Sequence, residues 1–575
     1  VATTLSFKEQ VKLFPGSFWV SNGIEMFERM AFYGVVMVRG IYVVAAVERG
    51  GLGLTHMQRA LIFAVWALIQ CLLPMFTGAY SDRYGYKKSL YIAFTINFFG
   101  YLFMGLANSY ETFFMAAVMV GVGTAIFKPP LHGTIAHTVT EKNSSVGWGF
   151  FYQLVNIGGF LGPFIAGLMR KIDWEYVFFA SAAITLLNFI PTIFLLKDYS
   201  KEVRKEKPDT KNPFATFADG VMTLVRDGRF VIFLLIFSGF WMMFMQLWDT
   251  MPIFVDEWVD SSMVVGFLGS IGIKGIADVH GNIPPEWMIN LDALSIVLFM
   301  LVIGYITGHF KPIVMMILGM IISLFGLIFT GSFTMGWFVL LGIFIFAIGE
   351  MTCSPKFSEY IGLMAPPEKK AVYMGYSNIP FAIGWFFALL FSGILYGNFA
   401  DKFDFGRQYL AQELKSGTVY VQYMEVINEM GNEETFAIGE AASRADTILM
   451  QNPFISIPEG EITRIWVEEE TVLRDKSMEK EFRRQGKELI KAGKKEEGMV
   501  LLKKETGLRK IAVMPVLCQR LEKNPKEVTR VLWDVYHPWK MWIYFGFVGL
   551  AAIIGMIFYH FWLEADKKKR EAAEV

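Results

Sequence analysis

Apolar segments of bilayer length recur along the whole chain, and this repetition constrains the fold more than any other feature. A helix needs about 20 apolar residues to cross the hydrocarbon core of a membrane. Such segments lie near 17–46, 57–80, 88–107, 112–136, 147–170 and 174–196, and again near 229–255, 290–309, 312–332, 335–362, 372–399 and 538–563. Lipid offers no partner to backbone N–H and C=O groups, so runs of this kind close their hydrogen bonds internally as helices. The reading is an all-α membrane protein with twelve transmembrane helices in two groups of six. Residues 1–196 form the first group, 197–228 a polar linker, 229–400 helices 7 to 11, and 537–575 helix 12 with a basic tail. The first 14 residues lack a signal-peptide pattern, so the first apolar segment reads as a retained span.

Composition fits this reading. Of 575 residues, 54% are hydrophobic and only 18% are charged, against roughly 25% charged in a soluble domain. The formal net charge is zero, which gives no footprint for a nucleic-acid partner. Cys71, Cys353 and Cys518 are too scattered for a disulfide framework or a zinc site. No Ser/His/Asp set, phosphate-binding Gly-Lys-Ser/Thr loop or metal-ligand spacing is present. The chain therefore reads as neither an enzyme nor a nucleotide-driven pump. An ion gradient is the remaining energy source, with no cofactor.

Lys and Arg in short loops set orientation. Arg83, Lys87 and Lys88 lie between spans 2 and 3, and Lys197, Lys201, Arg204, Lys205, Lys207 and Lys211 lie in the linker. Lys311, Lys369, Lys370 and the basic tail fall on the same side, while Arg49, Arg59, Arg170 and Lys171 are exceptions on the other. Both termini are expected to be cytoplasmic, in a plasma or bacterial inner membrane.

That topology puts residues 401–536 outside, as a mostly helical extramembrane insert large enough to fold. Glu468 to Arg509 alternates acids and bases at helical spacing, and Phe454 to Val467 carries a weak hairpin signal around Pro458–Glu459–Gly460. A solvated cap is the plain reading of the insert, and a protein partner is the alternative.

Ionisable groups inside the membrane mark function. Glu25, Glu28 and Arg29 share one face of the first span, so Glu25 and Arg29 can pair. The trio leaves one net negative charge, for which Lys128 in the fourth span is a counterion. Protonating either glutamate would free a base to change partners, which is the chemistry of a proton switch. A static ion network is the alternative. In the second half Glu350 lies deep in its span, with Pro355 available to bend the helix. Asp249 and Asp292 fit either a cavity or a watery helix end. His56, His132 and His137 read as solvated or helix-terminal.

The run Gly78-Ala-Tyr-Ser-Asp82-Arg83-Tyr-Gly85-Tyr-Lys87-Lys88 resembles the loop 2–3 signature of the major facilitator superfamily. The resemblance implies its fold of two six-helix bundles, with Asp82 and Arg83 helping to lock the cytoplasmic gate. Glu25-Met-Phe-Glu28-Arg29-Met-Ala-Phe32-Tyr33-Gly34 resembles the first-span motif of the proton-dependent oligopeptide transporter family. Gly121-Val-Gly123 with Lys128-Pro129, Phe151-Tyr152 with Asn156-Ile-Gly158, and Gly349-Glu350 with Ser354-Pro355 are similar to its spans 4, 5 and 10. Phe240-Trp241 with Gln246 is a weaker echo in span 7. The resemblance omits 401–536.

It implies symport of di- and tripeptides with protons. Glu25, Glu28, Arg29 and Lys128 would carry the coupling, and Tyr33, Asn156, Gln246, Asp292 and Glu350 would line the substrate pocket. Departures touch the pocket: Val36 stands where the family has a basic residue, Met245 where it has an acid, Asp292 where it has Asn, and Ser377 where it has an aromatic. Met30 and Phe32 replace Phe and Tyr of the first motif. Three readings follow: a peptide symporter, a proton-coupled carrier of another amine or drug-like compound, and a membrane receptor using the insert. The partners are a small-molecule or short-peptide substrate, protons and the lipid bilayer.

Overall fold

The computed structural model describes residues 6–140, 143–200, 222, 227–278, 280–364, 376–427, 433–444, 452–455, 460–494, 497–498, 501 and 506–573. Lys201, Arg204, Lys205, Lys207, Lys211, Lys369 and Lys370 lie outside them, as does the turn residue Pro458 with Glu459.

Twelve membrane-length helical segments occur among the described residues. Ten are long and apolar enough to cross a bilayer by composition alone. Gly16–Val44 and Tyr86–Gly105 complete the set, the former with the charged face of the first span and the latter opening on Lys87 and Lys88. The remaining spans are His56–Gly78, Tyr110–Thr138, Val146–Arg170, Trp174–Phe194, Gly228–Trp258, Pro285–Thr307, Pro312–Gly331, Gly336–Met364, Ile379–Phe399 and Lys540–Lys569.

Local chemistry fixes their starts. Ser109 and Thr112 close a capping box ahead of span 4, Asp227 accepts from the Phe230 amide ahead of span 7, and Pro312 supplies a first-turn proline for span 9. Several spans are broken. Span 7 divides into Gly228–Phe244 and Gln246–Trp258, and span 8 into Pro285–Ile289 and Leu291–Thr307.

By compactness the chain divides into two units. One comprises Val1–Gly40, Met57–Gly393 and Trp542–Val575, the other Ile41–His56 and Ile394–Met541. In the first, spans 1 and 5 cross closely: a Cβ on Gly158 or Gly162 would lie 2.3 Å from the carbonyl oxygen of Met26 or Met30. Small residues allow such approach, which is how helices gain packing energy in lipid.

The second unit holds the insert. Its sheet is antiparallel, with β1 (Thr418–Ile427) between β2 (Glu433–Ala441) and β3 (Glu461–Thr471). Helices Lys402–Gln412, Lys476–Lys491, Lys510–Leu521 and Pro525–Tyr536 accompany it. The insert therefore contains a sheet that helical charge spacing did not disclose. Glu468, Glu469 and Glu470 lie on β3 and not in a helix, because the β-branched and aromatic run Ile462–Val467 carries the strand past them. The partner of β3 is β1, across the register Tyr423↔Trp466, so among the described residues the 454–467 signal marks one edge strand. Within the same unit, the Lys510 ammonium donates to the Val44 carbonyl at 2.8 Å. His56 lies 3.4 Å from Asp401 with its ring on Tyr396. His56 is thus buried, contrary to the solvated alternative, and opens its helix, in keeping with the helix-terminal one.

Candidate functional site

The helical repeat places Glu25, Glu28 and Arg29 together, all buried. Arg29 Nε donates to Glu28 Oε2 at 2.6 Å and lies 3.4 Å from Glu25 Oε1. Its guanidinium also rests over the Phe32 ring at 4.7 Å, a stacking that suits a weakly hydrated cation. Glu25 Oε2 and Glu28 Oε1 are buried without a hydrogen-bond partner. A buried carboxylate oxygen without a donor is costly, and a proton is the smallest ligand that satisfies it. Lys128 is half-buried in span 4, immediately before Pro129 and Pro130, and within electrostatic reach of all three. It makes no ion pair within 4 Å among the described residues, so its charge balances the trio at a distance.

Tyr33 links this cluster to the second half. It feels Arg29, Glu25 and Glu28 on one side and Glu350 on the other, and its ring lies 5.5 Å from Trp248. Tyr152 faces Glu350 and Asp292, and its carbonyl accepts from Asn156 Nδ2 at 2.8 Å. Tyr33, Tyr152, Asn156, Trp248, Lys128 and Glu350 all keep part of their surface accessible.

Asp292 is fully buried, which removes the watery helix-end alternative for it. Its carboxyl meets that of Glu350. No protein donor reaches either oxygen of Asp292 or Oε2 of Glu350 among the described residues. Two carboxyls in this position hydrogen-bond only if one holds a proton. Among the described residues the site is acid without an ion-paired cation.

Asp249 is also buried, at 4% exposure, but its environment differs. Arg59, fully buried in span 2, donates from Nη1 to Asp249 Oδ2 at 2.5 Å and from Nη2 to Ser392 of span 11 at 2.5 Å. Ser392 in turn donates to Asp249 Oδ2 at 3.1 Å. Gln246 is fully buried beside this knot. Its amide donates to the carbonyls of Met242 and Ala388 and its oxygen accepts from Thr250.

A second ionic knot joins the halves: Arg170 of span 5 reaches Glu286 at 3.0 Å and Asp256 at 3.1 Å. Lys171 donates to the Gly275 carbonyl at 2.6 Å. Arg59, Arg170 and Lys171, exceptions to the loop-charge count, are therefore committed to structure and are not free loop charges. The sequence signal that could have exposed Arg59 was its place inside an apolar run, four residues into span 2. Arg39 was missed too. It is buried in span 1, stacked 4.2 Å from the rings of both Phe63 and Trp66.

At the basic ends, Arg83 is exposed over the Tyr84 ring at 5.8 Å. The side chain of its neighbour Asp82 lies outside the described residues. Gly85 takes φ +114°, which lets span 3 begin directly. Asp198 of the linker accepts from the amides of Tyr86 and Ser200 at 3.3 and 3.0 Å. Partial burial opposes its ionisation, but these bonds and the Ser200 hydroxyl hold its carboxyl below the usual range. His137 is exposed at the end of span 4, stacked on Tyr199, as a terminal histidine would be. His132 lies five residues further in, half-buried against Trp148 and Phe151.

The insert holds its own ion network. Tyr423 donates to Glu470 at 2.5 Å, Arg509 Nε donates to the same oxygen at 2.7 Å, and Arg509 stacks 3.8 Å above the Tyr423 ring. Burial, reinforced by the Glu470 charge, pushes the Tyr423 hydroxyl far above its ordinary value. This is a structural staple of the sheet. Among the described residues no group of three His, Cys, Asp or Glu could hold a metal.

Comparison with known proteins agrees with this architecture. Residues 30–279 match the Major Facilitator Superfamily. The multidrug resistance protein MdtH of Yersinia enterocolitica is 23% identical over 322 residues, covering 55% of this chain and 72% of that protein. The crystal structure of a POT family transporter in complex with 5-aminolevulinic acid superposes with a TM-score of 0.55 at 16% identity, covering 68% of this chain and 94% of the other. The nucleoside transporter NupG gives 0.54 at 12% identity, covering 67% and 92%. At such identities the two structures speak to fold alone. The chain is a multi-pass membrane protein of major facilitator fold whose residues 30–279 match the Major Facilitator Superfamily.

Proposed function

We propose that this chain is a proton-coupled symporter of amine-bearing, peptide-like solutes that works by alternating access. The observation that carries the reading is the Glu25–Glu28–Arg29 cluster, with one donorless oxygen on each glutamate and Lys128 nearby. Proton uptake at either oxygen would weaken its hold on Arg29 and release the guanidinium to a new partner. Arg59–Asp249 and Arg170–Glu286 would clasp the two halves at their outer ends, and Asp82 with Arg83 would serve the opposite gate. Tyr33 and Asn156 would contact the solute between the proton site and the acids of the second half. The first-span motif favours the oligopeptide family within the superfamily, and the POT fold likeness is consistent with it.

A second reading, a carrier of non-peptide amines working by symport or antiport, is favoured by one observation. Asp292 and Glu350 form an acid pair where the family pattern has Asn at the first position, so the solute's positive end meets more negative charge than a peptide amine requires. The Yersinia relative, named for multidrug resistance, points the same way.

Uptake into proteoliposomes, with and without an imposed proton gradient, tests the main reading with labelled dipeptides and simple amines as solutes. Dipeptide accumulation only with an inward gradient supports it. Amine efflux against that gradient selects the second reading, and equal uptake in all conditions removes both.

A further inference from the structure

Two recesses lie in line along spans 7 and 12, away from the buried charge clusters described above. The first, about 770 Å³, is bordered by Asp227, Arg229 and Ile232 of span 7, Tyr360 and Met364 of span 10, and Trp562 of span 12. The second, about 470 Å³, is a slot between Leu235, Ile236 and Gly239 of span 7 and Phe547, Ala551 and Ala552 of span 12. Ile232, Leu235, Ile236 and Gly239 follow the i, i+3, i+4, i+7 pattern of a single helix face. Gly239 makes the floor of the slot narrow: a Cβ there would meet the Ala552 methyl at 3.1 Å. Leu235 and Phe547 are 56% and 60% exposed, so the slot opens outward between apolar rims and not into the protein.

We propose that this groove binds one membrane phospholipid, with phosphatidylethanolamine preferred. The polar recess presents charges of both signs. The Arg229 guanidinium lies 2.6 Å from Asp566 and 5.7 Å from the Trp562 ring centre, and faces the recess as a phosphate partner. Asp227 provides a carboxylate two residues away. A lipid that carries both a phosphate and a primary ammonium can pair with both groups, in addition to the bond that Arg229 donates to Asp566 and the one that Asp227 accepts from the Phe230 amide. Phosphatidylcholine offers the phosphate but no N–H donor to Asp227. An anionic lipid meets one guanidinium flanked by two carboxylates, Asp227 and Asp566, which is a poor match despite the basic tail beyond. Arg229 to Gly239 spans ten residues, about 15 Å of helix, which is half of a roughly 30 Å hydrocarbon core. The slot thus runs to the depth of one acyl chain in one leaflet. Trp562 at the head recess suits the interfacial position of amphipathic rings.

The test is native mass spectrometry of the purified full-length chain, titrated with phosphatidylethanolamine, phosphatidylcholine and phosphatidylglycerol of identical acyl composition. Phosphatidylethanolamine should bind about fivefold better than either other lipid, the worth of one favourable exposed ion pair. Asp227→Asn keeps the helix cap, since Asn caps as well as Asp, and should abolish the ethanolamine–choline difference. Arg229→Gln should weaken all three lipids, and Ala551→Trp should fill the slot and do the same without touching the headgroup site. Glycerophosphoethanolamine, the headgroup without chains, should fail to compete. Preference for phosphatidylglycerol, equal binding of the three lipids, an unchanged preference in Asp227→Asn, or effective competition by the chainless headgroup would each overturn the proposal.

Discussion

Two arginine–carboxylate sites lie in the same low-dielectric interior, yet they are finished to different degrees. At Arg59–Asp249, one carboxylate oxygen accepts from both the arginine and Ser392, and the arginine bonds a second span as well. At Arg29, two glutamates share one guanidinium, and each keeps a buried oxygen with no donor. A carboxylate held in this way resists change, because removing either member of the pair strands a charge. An incompletely held one has room for a proton. The state of the carboxylate oxygens, more than burial, separates a clasp from a switch in this molecule: Asp249 keeps no buried oxygen without a donor, although Arg59 Nε has no partner. The Asp292–Glu350 pair, which has no ion-paired cation among the described residues, extends the incomplete class.

The largest effect should come from breaking the clasp. Arg59→Ala leaves Asp249 buried without its hydrogen-bonded cation, with the more distant Arg39 charge in reach, and should cost about 3–5 kcal/mol of stability in detergent unfolding. The double change Arg59→Met with Asp249→Leu should recover most of that loss. If the single substitution is harmless, Asp249 is not held in the sense argued.

At the cluster the expected loss is of coupling and not of stability. Glu28→Gln should reduce gradient-driven uptake by on the order of tenfold to a hundredfold, within the usual range of coupling energies. Exchange of labelled for unlabelled solute without a gradient should persist. Loss of both would make Glu28 a structural member like Arg59. Asp292→Asn should act only on selectivity, narrowing the advantage of an amine over its N-acetylated form by about tenfold, the scale of one charged hydrogen bond. No change would place the acid pair away from the solute.

The smallest effect belongs to Asp198, whose carboxyl is hydrogen-bonded at the surface. Its folded-state pKa is depressed, so it stabilises the protein above the unfolded carboxylate value, and that contribution is lost as pH falls through the folded one. Asp198→Asn should therefore cost only about 0.5 kcal/mol at neutral pH, discounted for exposure. The difference from wild type should fade as unfolding is measured below about pH 4, near the ordinary Asp value.

How much of this was legible depended on the distance between partners. Glu25, Glu28 and Arg29 meet because three- and four-residue spacing brings them together on any helix. Arg59 and Asp249 are 190 positions apart, and loop counting treats Arg59 as an anomaly when it is the buried half of a pair. Asp292 offered two readings because the break after Ile289 mimics a helix end facing water. In the insert, Glu468 and Glu470 carry the charge spacing of an exposed helix, but their strand is decided by its pairing with Thr418–Ile427, about fifty residues earlier in the chain.

The breaks in spans 7 and 8 have a further consequence. Asp249 and Asp292 each occupy the first turn of the helical piece that follows its break. The aligned peptide dipoles of that piece present roughly half a positive charge at its start. An uninterrupted helix would place the same carboxylate amid its own closed hydrogen bonds and far from that field. Each interruption thus sets the amide end of one piece beside the carboxylate, with the carbonyl end of the preceding piece one residue away offsetting part of that field. The backbone can then help to support an acid in the second half of the protein, where Asp292 has no arginine beside it.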